Sequence, residues 1–246
     1  MKAVGFWAII FFLAHQVFEP VAKFLMPQTY ANLKPQKKKD LSTYVISTLH
    51  HLVVVPYVSQ FILKDIFSYL TDPTPVPSSH FNEFYSNYGV ISFSVGFFFG
   101  DGIAFYVPEA LQGRPVYLIH HIFSICMLCA TKHFYGVTLQ GTPLMFLVEM
   151  STAFFNLAWI CRCLSNGKIP AFIISGLEYA FAITFFFFRI IMGTFFFVLL
   201  FDELMEQSLF FTVSYSAMLL LQYYWFYSIL MSIFGGKRNK TKSNQD

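Results

Sequence analysis

Residues 172–200 read FIISGLEYAFAITFFFFRIIMGTFFFVLL, and only Glu178 and Arg189 carry a full charge in this stretch. An α-helix needs about 20 predominantly apolar residues to cross the hydrocarbon core of a bilayer. The stretch therefore predicts a transmembrane helix. It is longer than one straight span requires, so we expect a break or kink at Gly176 or Gly193.

The rest of the chain has the same apolar character. Of its 246 residues, 56% are hydrophobic and only 12% are charged, whereas soluble globular domains carry about 25% charged residues. Such a chain has too little polar surface to cover a water-exposed fold, which excludes intrinsic disorder and argues against a cytosolic enzyme. The composition indicates a polytopic membrane protein.

The same length rule predicts an all-α fold, a polytopic transmembrane helix bundle of about seven spans. The first span is the weakest because His15, Gln16 and Glu19 interrupt it. No small-residue cleavage site follows it, so we interpret it as a retained helix and not as a signal peptide. The Pro/Ser-rich linker at 71–80 is too short to be a separate domain. The predicted spans are about 3–20, 41–63, 84–107, 115–134, 140–162, 172–200 and 208–234.

The lysines and arginines predict the orientation of these spans. Of the 16, twelve fall on the side of the 21–40 loop and the C-terminal tail, three on the opposite side, and Arg189 within a span. By the positive-inside rule the N-terminus is exoplasmic or lumenal and the C-terminus is cytosolic. The basic runs at 37–39 and 237–242 then mark cytosolic boundaries, so we expect no nucleic acid partner.

The cysteines show no sign of a disulfide framework or a zinc site. All four lie within or at the edge of apolar runs, and no second pair or histidine pair completes the zinc-like spacing of the first two. We interpret them as small residues of membrane helices and expect no metal site. They are Cys126, Cys129, Cys161 and Cys163.

Ionisable side chains within predicted spans are candidates for functional groups, because burying them in a bilayer is unfavourable. Counted at about 1.5 Å of rise per residue, several fall in one layer about 8–9 Å from the predicted cytosolic face. Glu149 and Asn156 are seven residues apart, which places them on one helix face. The layer predicts a polar pocket, although hydrogen bonds that hold helices together are an alternative. The candidate pocket residues are His50, Asp101, His120, His121, Glu149, Asn156, Glu178 and Arg189.

Two histidine doublets lie among these candidates, at 120–121 in this layer and at 50–51 deeper, where His50 is near the midplane. Adjacent residues on a helix diverge by about 100°, so we expect only one member of each doublet to face the pocket squarely.

Five stretches carry a resemblance to a known family. The sequence resembles the TLC (TRAM/LAG/CLN) domain family, the membrane domain of translocation-associated membrane proteins, ceramide synthases and CLN-type proteins, over about 40–235. It is most similar to the transmembrane-protein-56 type of TLC domain-containing protein. Residues 1–39 then form an N-terminal transmembrane helix with a basic cytosolic loop, and 236–246 a basic cytosolic tail. The stretches are STLHHLVVV (47–55), FFFGDGIAF (97–105), YLIHHIFSI (117–125), FLVEMSTAFFNLAW (146–159) and FFFFRIIMGTFFF (185–197).

The resemblance implies a multi-pass protein of the endoplasmic reticulum or plasma membrane, with membrane lipids as partners and no cofactor. In ceramide synthases the doublet that corresponds to His120 and His121 is central to acyl transfer from acyl-CoA. That branch has a His-Asp pair and a further acid where this chain has Val148-Glu149 and Thr152. We therefore expect a protein that binds or senses a lipid or acyl chain and contributes to membrane lipid homeostasis.

Two alternatives remain open at this point. The first is a ceramide-synthase-like acyltransferase, in which His120, His121 and Asp101 are catalytic and acyl-CoA is the donor. The second is a small-solute or proton-coupled transporter, since the same polar layer could relay protons.

Overall fold

A computed structural model of the chain describes residues 2–71, 89–130, 148–165, 168–207 and 209–240. Within these ranges every regular element is a helix, which confirms the all-α fold class. The predicted linker at 71–80 lies outside them except for its first residue. In chain order the helices are α1 (Lys2–Leu25), α2 (Pro27–Ala31), α3 (Pro35–Thr71), α4 (Gly89–Asp101), α5 (Val107–Leu111), α6 (Val116–Ala130), α7 (Glu149–Leu164), α8 (Ala171–Thr184), α9 (Gly193–Gln207) and α10 (Leu209–Lys240).

Five helical stretches among the described residues are long and apolar enough to cross a membrane, and they correspond to five of the seven predicted spans. The two others, 115–134 and 140–162, correspond to the shorter helices α6 and α7, and their residues 131–147 lie outside the described ranges. The five stretches are Lys2–Leu25, Pro35–Gln60, Gly89–Leu111, Ala171–Val198 and Thr212–Ile233.

The helices differ from the prediction mainly at their ends and in the long sixth span. α1 continues through Pro20 to Leu25, and α3 begins at Pro35, a residue type that suits the first turn of a helix. Of the two positions at which we expect a break or kink, Gly176 lies inside α8, which continues through it as an α-helix. Inside a bilayer no water replaces a lost backbone hydrogen bond, so a helix is not readily broken there. The helix instead widens into a π-helical segment, Phe185–Met192, which ends at Gly193.

The chain divides into two compact units, Met1–Phe181 and Ala182–Asp246. In the first unit α1 packs mainly on α4, α3 packs mainly on α7, and α4 also contacts α6. An apolar core joins α1, α3, α4 and α6 through side chains such as Phe11, Val54, Phe97 and Leu128. The second unit contains α9 and α10, which pack on each other and on the Phe185–Met192 segment.

Two glycines of α4 bring the backbone of α1 unusually close. Gly96 and Gly100 are four residues apart, the small-xxx-small spacing that lets membrane helices approach each other. A Cβ atom built on Gly96 would overlap the Cβ atom of Trp7, and one built on Gly100 would lie 2.7 Å from the carbonyl oxygen of Ala8. The absence of side chains at these two positions therefore creates the groove in which α1 lies.

Large apolar side chains remain on the outside of the helices. Phe24 is 85% exposed and Phe172 is 76% exposed. In water such surfaces would favour aggregation, but the hydrocarbon interior of a bilayer is an apolar solvent for them. Most of the polar side chains in the two clusters described below are buried between the helices.

Candidate functional site

The carboxylate of Asp101, at the end of α4, lies between two histidines of the first unit. Asp101 Oδ1 is 2.8 Å from His15 Nε2 of α1, and Asp101 Oδ2 is 3.0 Å from His121 Nε2 of α6. The side chains of the three residues are only 1%, 5% and 7% exposed, respectively. The His15 contact has a hydrogen-bond distance but departs from ideal hydrogen-bond angles. We call these three residues the Asp101 cluster.

The contact that His121 makes through Nδ1 shows that this nitrogen is protonated. Nδ1 is 2.9 Å from the carbonyl oxygen of Tyr117, and a carbonyl oxygen only accepts hydrogen bonds, so Nδ1 carries a proton. Nε2 then faces Asp101 Oδ2 at 3.0 Å with one further proton between them. The pair is either imidazolium with carboxylate or imidazole with carboxylic acid, and its net charge is zero in both forms.

A π-helical segment, Gly102–Tyr106, begins directly after Asp101. Such segments insert one extra residue into a helical turn and occur frequently at functional sites. The segment brings the ring of Tyr106 to 4.4 Å from the ring of His121, between centroids. The Asp101 carboxylate and the Tyr106 ring, which both lie next to the His121 imidazole, thus come from consecutive turns of one irregular helix.

A second buried cluster joins α3 and α7, and we call it the Glu149 cluster. His51 Nε2 lies 2.8 Å from Glu149 Oε2, while His51 Nδ1 contacts the carbonyl oxygen of Ser47 one turn earlier. The pair therefore also contains one proton between nitrogen and carboxylate. Asn156 donates from Nδ2 to Ser47 Oγ over 3.0 Å. Glu149 and Asn156 both face α3, as their seven-residue spacing predicts.

His50 is fully buried next to the Glu149 cluster but faces α4. Its Nε2 lies 3.0 Å from Ser94 Oγ, and its ring stacks on Phe97 with centroids 4.1 Å apart. Its Nδ1 is buried and makes no hydrogen bond within the described residues. The rings of Phe97 and Phe98 separate His50 from His121.

The two doublets behave differently. His121 is buried and His120 is only half-buried, as expected for adjacent residues on a helix. In the first doublet His50 and His51 are both buried, but they face different helices: His51 contacts Glu149 and His50 contacts Ser94. The reason is that α3 contacts α1 and α4 on one side and α7 on another, so two directions from the same helix lead into the protein.

Two of the predicted residues lie elsewhere. Glu178 is partly exposed and forms an ion pair with Arg162, apart from both clusters. Arg189 belongs to the second unit, where it is buried, donates to Gln222 Oε1 over 2.9 Å and lies over the ring of Phe185. Each arrangement gives the charged group a partner within its own unit.

The sequence-based prediction missed His15 and the serines that contact His15 and His51, and it named His51 only as a member of the first doublet. His15 was visible only as a polar interruption of a weak span, and it lies outside every stretch that carries the family resemblance. A histidine in an otherwise apolar helix is nevertheless a signal in itself, because its burial in a bilayer requires a partner.

Comparison with known proteins shows what this chain is similar to. A family model for the TLC domain (TRAM, LAG1 and CLN8) matches residues 40–231. The TLC domain-containing protein 4 C of Dictyostelium discoideum is 26% identical over 204 residues, which cover 76% of this chain and 67% of that protein. No solved structure matches the chain. The family model covers more than half of the chain, which therefore belongs to the TLC domain family and is a multi-pass membrane protein.

Proposed function

We propose that this protein binds or senses a membrane lipid or acyl chain at the Asp101 and Glu149 clusters and thereby contributes to membrane lipid homeostasis. One observation carries the proposal: two histidine–carboxylate pairs are buried in the same apolar helix bundle. Such pairs are rare inside membranes because removing charged groups from water is unfavourable, and those that occur are usually functional.

The proposed point of entry is His120 on α6. This side chain is half-buried, and around it on α6 lie the exposed Ile119 and the partly exposed Phe123. A lipid that lies against α6 would therefore meet one polar ring among apolar side chains. The carbonyl or hydroxyl group of the lipid would hydrogen-bond there, directly beside the buried His121–Asp101 pair, while its acyl chain follows the apolar helix surface.

The distribution of lysine and arginine supports the orientation that we propose with this function. The N-terminus is exoplasmic or lumenal, the C-terminus is cytosolic, and the protein resides in the endoplasmic reticulum or plasma membrane. The Asp101 cluster then lies in the cytosolic half of the bilayer.

Lipid retention tests the proposal directly. After purification in mild detergent, the wild-type protein is expected to carry a lipid that native mass spectrometry detects. His120→Leu should reduce its occupancy by about tenfold, because a hydrogen bond to the lipid's polar group is lost in an apolar medium. Ile122→Ala, an exposed apolar position on another face of α6, serves as the control and should keep the wild-type lipid occupancy. The proposal is overturned if the wild-type protein carries no lipid and its loss leaves the cellular lipid profile unchanged.

A second candidate, an acyl-CoA-dependent acyltransferase, is favoured by the pairing of His121 with Asp101. A carboxylate that orients an imidazole is a common arrangement in general base catalysis. The Asp101 carboxylate, which contacts His121, would also stabilise the positive charge on His120, the adjacent ring of α6 that would contact the substrate. His120 would accept a proton from an amine while the new C–N bond forms and the thioester C–S bond of acyl-CoA breaks.

Labelled acyl-CoA and a sphingoid base, added to microsomes that contain the protein, test this candidate. If the protein is an acyltransferase, we expect labelled amide product that falls by at least about a hundredfold in His120→Ala, the usual size of a general base contribution. Product no greater than in the His120→Ala control rules the activity out and leaves lipid binding as the function.

A further inference from the structure

We propose that helix α1 contributes to the lipid site through His15. This histidine is a positioning residue that holds the Asp101 carboxylate toward His121. The effect of His15 on lipid binding rests on the proposed function, whereas its effect on Asp101 does not. α1 lies outside residues 40–231, which the family model matches. His15, which lies outside the family domain, would thus supply a partner to the buried carboxylate of Asp101.

The two oxygens of Asp101 have different partners. Oδ2 faces His121, while the polar group that Oδ1 contacts among the described residues is His15 Nε2 at 2.8 Å. Asp101 is 1% exposed, so water does not replace a missing partner. Removal of His15 would leave one carboxylate oxygen buried among apolar atoms, and that favours protonation of the carboxyl group over its charged form.

The position of His15 is fixed by packing on two sides. On one side, the groove at Gly96 and Gly100 holds the backbone of α1 at Ala8 and Phe11. On the other side, His15 Nδ1 lies 3.4 Å from Ser42 Oγ of α3. The imidazole therefore reaches Asp101 from a helix that is itself held on both α3 and α4, which is the arrangement that a positioning residue requires.

The consequence for the site passes through His121. A carboxylate that is held charged by His15 keeps the imidazole of His121 in its double contact with Asp101 and Tyr117. His121 in turn shares a turn of α6 with His120, the proposed lipid contact. His15 would therefore influence a lipid that it does not touch.

Glutamine and asparagine at position 15 separate positioning from simple helix packing. The amide nitrogen of glutamine reaches close to the place of histidine Nε2, which contacts Asp101, whereas that of asparagine lies closer to Nδ1. The first readout is the infrared carbonyl stretch of a protonated carboxyl group, assigned to Asp101 by its loss in Asp101→Asn. We expect it to be weak in the wild type and in His15→Gln and strong in His15→Asn. Gln16→Leu, an exposed neighbour on α1, is the control and should match the wild type.

The second readout is lipid retention, which should fall by about tenfold in His15→Asn and stay within about twofold of the wild type in His15→Gln. If glutamine and asparagine give the same carboxyl signal, the inference is overturned, whatever the lipid result. If the carboxyl signals differ but no variant, including the wild type, carries lipid, the proposed function fails while the positioning of Asp101 by His15 stands. If the carboxyl signals differ and only lipid retention is unchanged, the role of α1 in lipid binding is overturned.

Discussion

Asp101→Ala is expected to lower the free energy of unfolding by about 3–5 kcal/mol, the usual effect of removing one partner from a buried charged pair. The substitution removes the only group that joins α1, α4 and α6 through charge within the described part of the chain. It leaves His15 and His121 facing an apolar space without a carboxylate, in a medium where water does not compensate. The same variant should lose bound lipid, because the orientation of His121 depends on this carboxylate.

Thermal unfolding in detergent, followed by loss of the monodisperse peak in size-exclusion chromatography, measures the first effect. Asp202→Ala is the matched control, because Asp202 is an exposed aspartate on α9, and surface substitutions usually change stability by less than about 0.5 kcal/mol. The unfolding midpoint of Asp101→Asn should lie between those of Asp101→Ala and Asp202→Ala, since the asparagine amide retains one hydrogen-bonding oxygen. Equal midpoints for Asp101→Ala and Asp202→Ala would show that the Asp101 cluster does not stabilise the bundle.

Gly100→Leu is expected to displace α1 from α4. A Cβ atom at this position would lie 2.7 Å from Ala8 O and 2.8 Å from Phe11 Cβ. Ala8 O is a backbone atom and cannot move away by a change of side-chain rotamer. The two helices must therefore separate. Overpacking of a well-packed core usually costs about 1–3 kcal/mol. Here the displacement also carries His15 away from Asp101, so we expect the lipid retention of Gly100→Leu to fall as it does in His15→Asn.

Cysteines introduced at Trp7 and Phe93 report on this docking, because the rings of the two residues lie 4.9 Å apart in the wild type. In a background without the four native cysteines, a short thiol cross-linker should join them in the wild type and fail in Gly100→Leu. Gly5→Leu and Gly176→Leu are the controls, since a Cβ atom at either position meets nothing within 4 Å. Undiminished cross-linking in Gly100→Leu would mean that the groove does not hold α1.

The structure brings some of the predicted residues together and leaves others apart, and the sequence does not distinguish the two groups. Asp101, His121, Glu149 and Asn156 were recognised because polar groups in apolar helices stand out in a sequence. Their partners were not assigned, because a partner depends on which helices are neighbours and on their relative rotation. Glu178 stood out equally, yet it lies at the surface beside Arg162. Polarity within a span therefore identifies a candidate, and packing decides whether it belongs to the site.

The amino-acid sequence by itself determined that this protein is an all-α membrane protein of the TLC domain family. In a bilayer the backbone N–H and C=O groups must be hydrogen-bonded within the chain, which a helix achieves. Long apolar runs therefore suffice to predict membrane helices. Only the tertiary structure decided which polar side chains meet. The close approach of α1 at Gly96 and Gly100, the burial of both His50 and His51, and the place of His15 beside Asp101 all depend on contacts between residues distant in sequence. Such contacts arise from the fit of helix surfaces, which no periodicity within a single helix specifies.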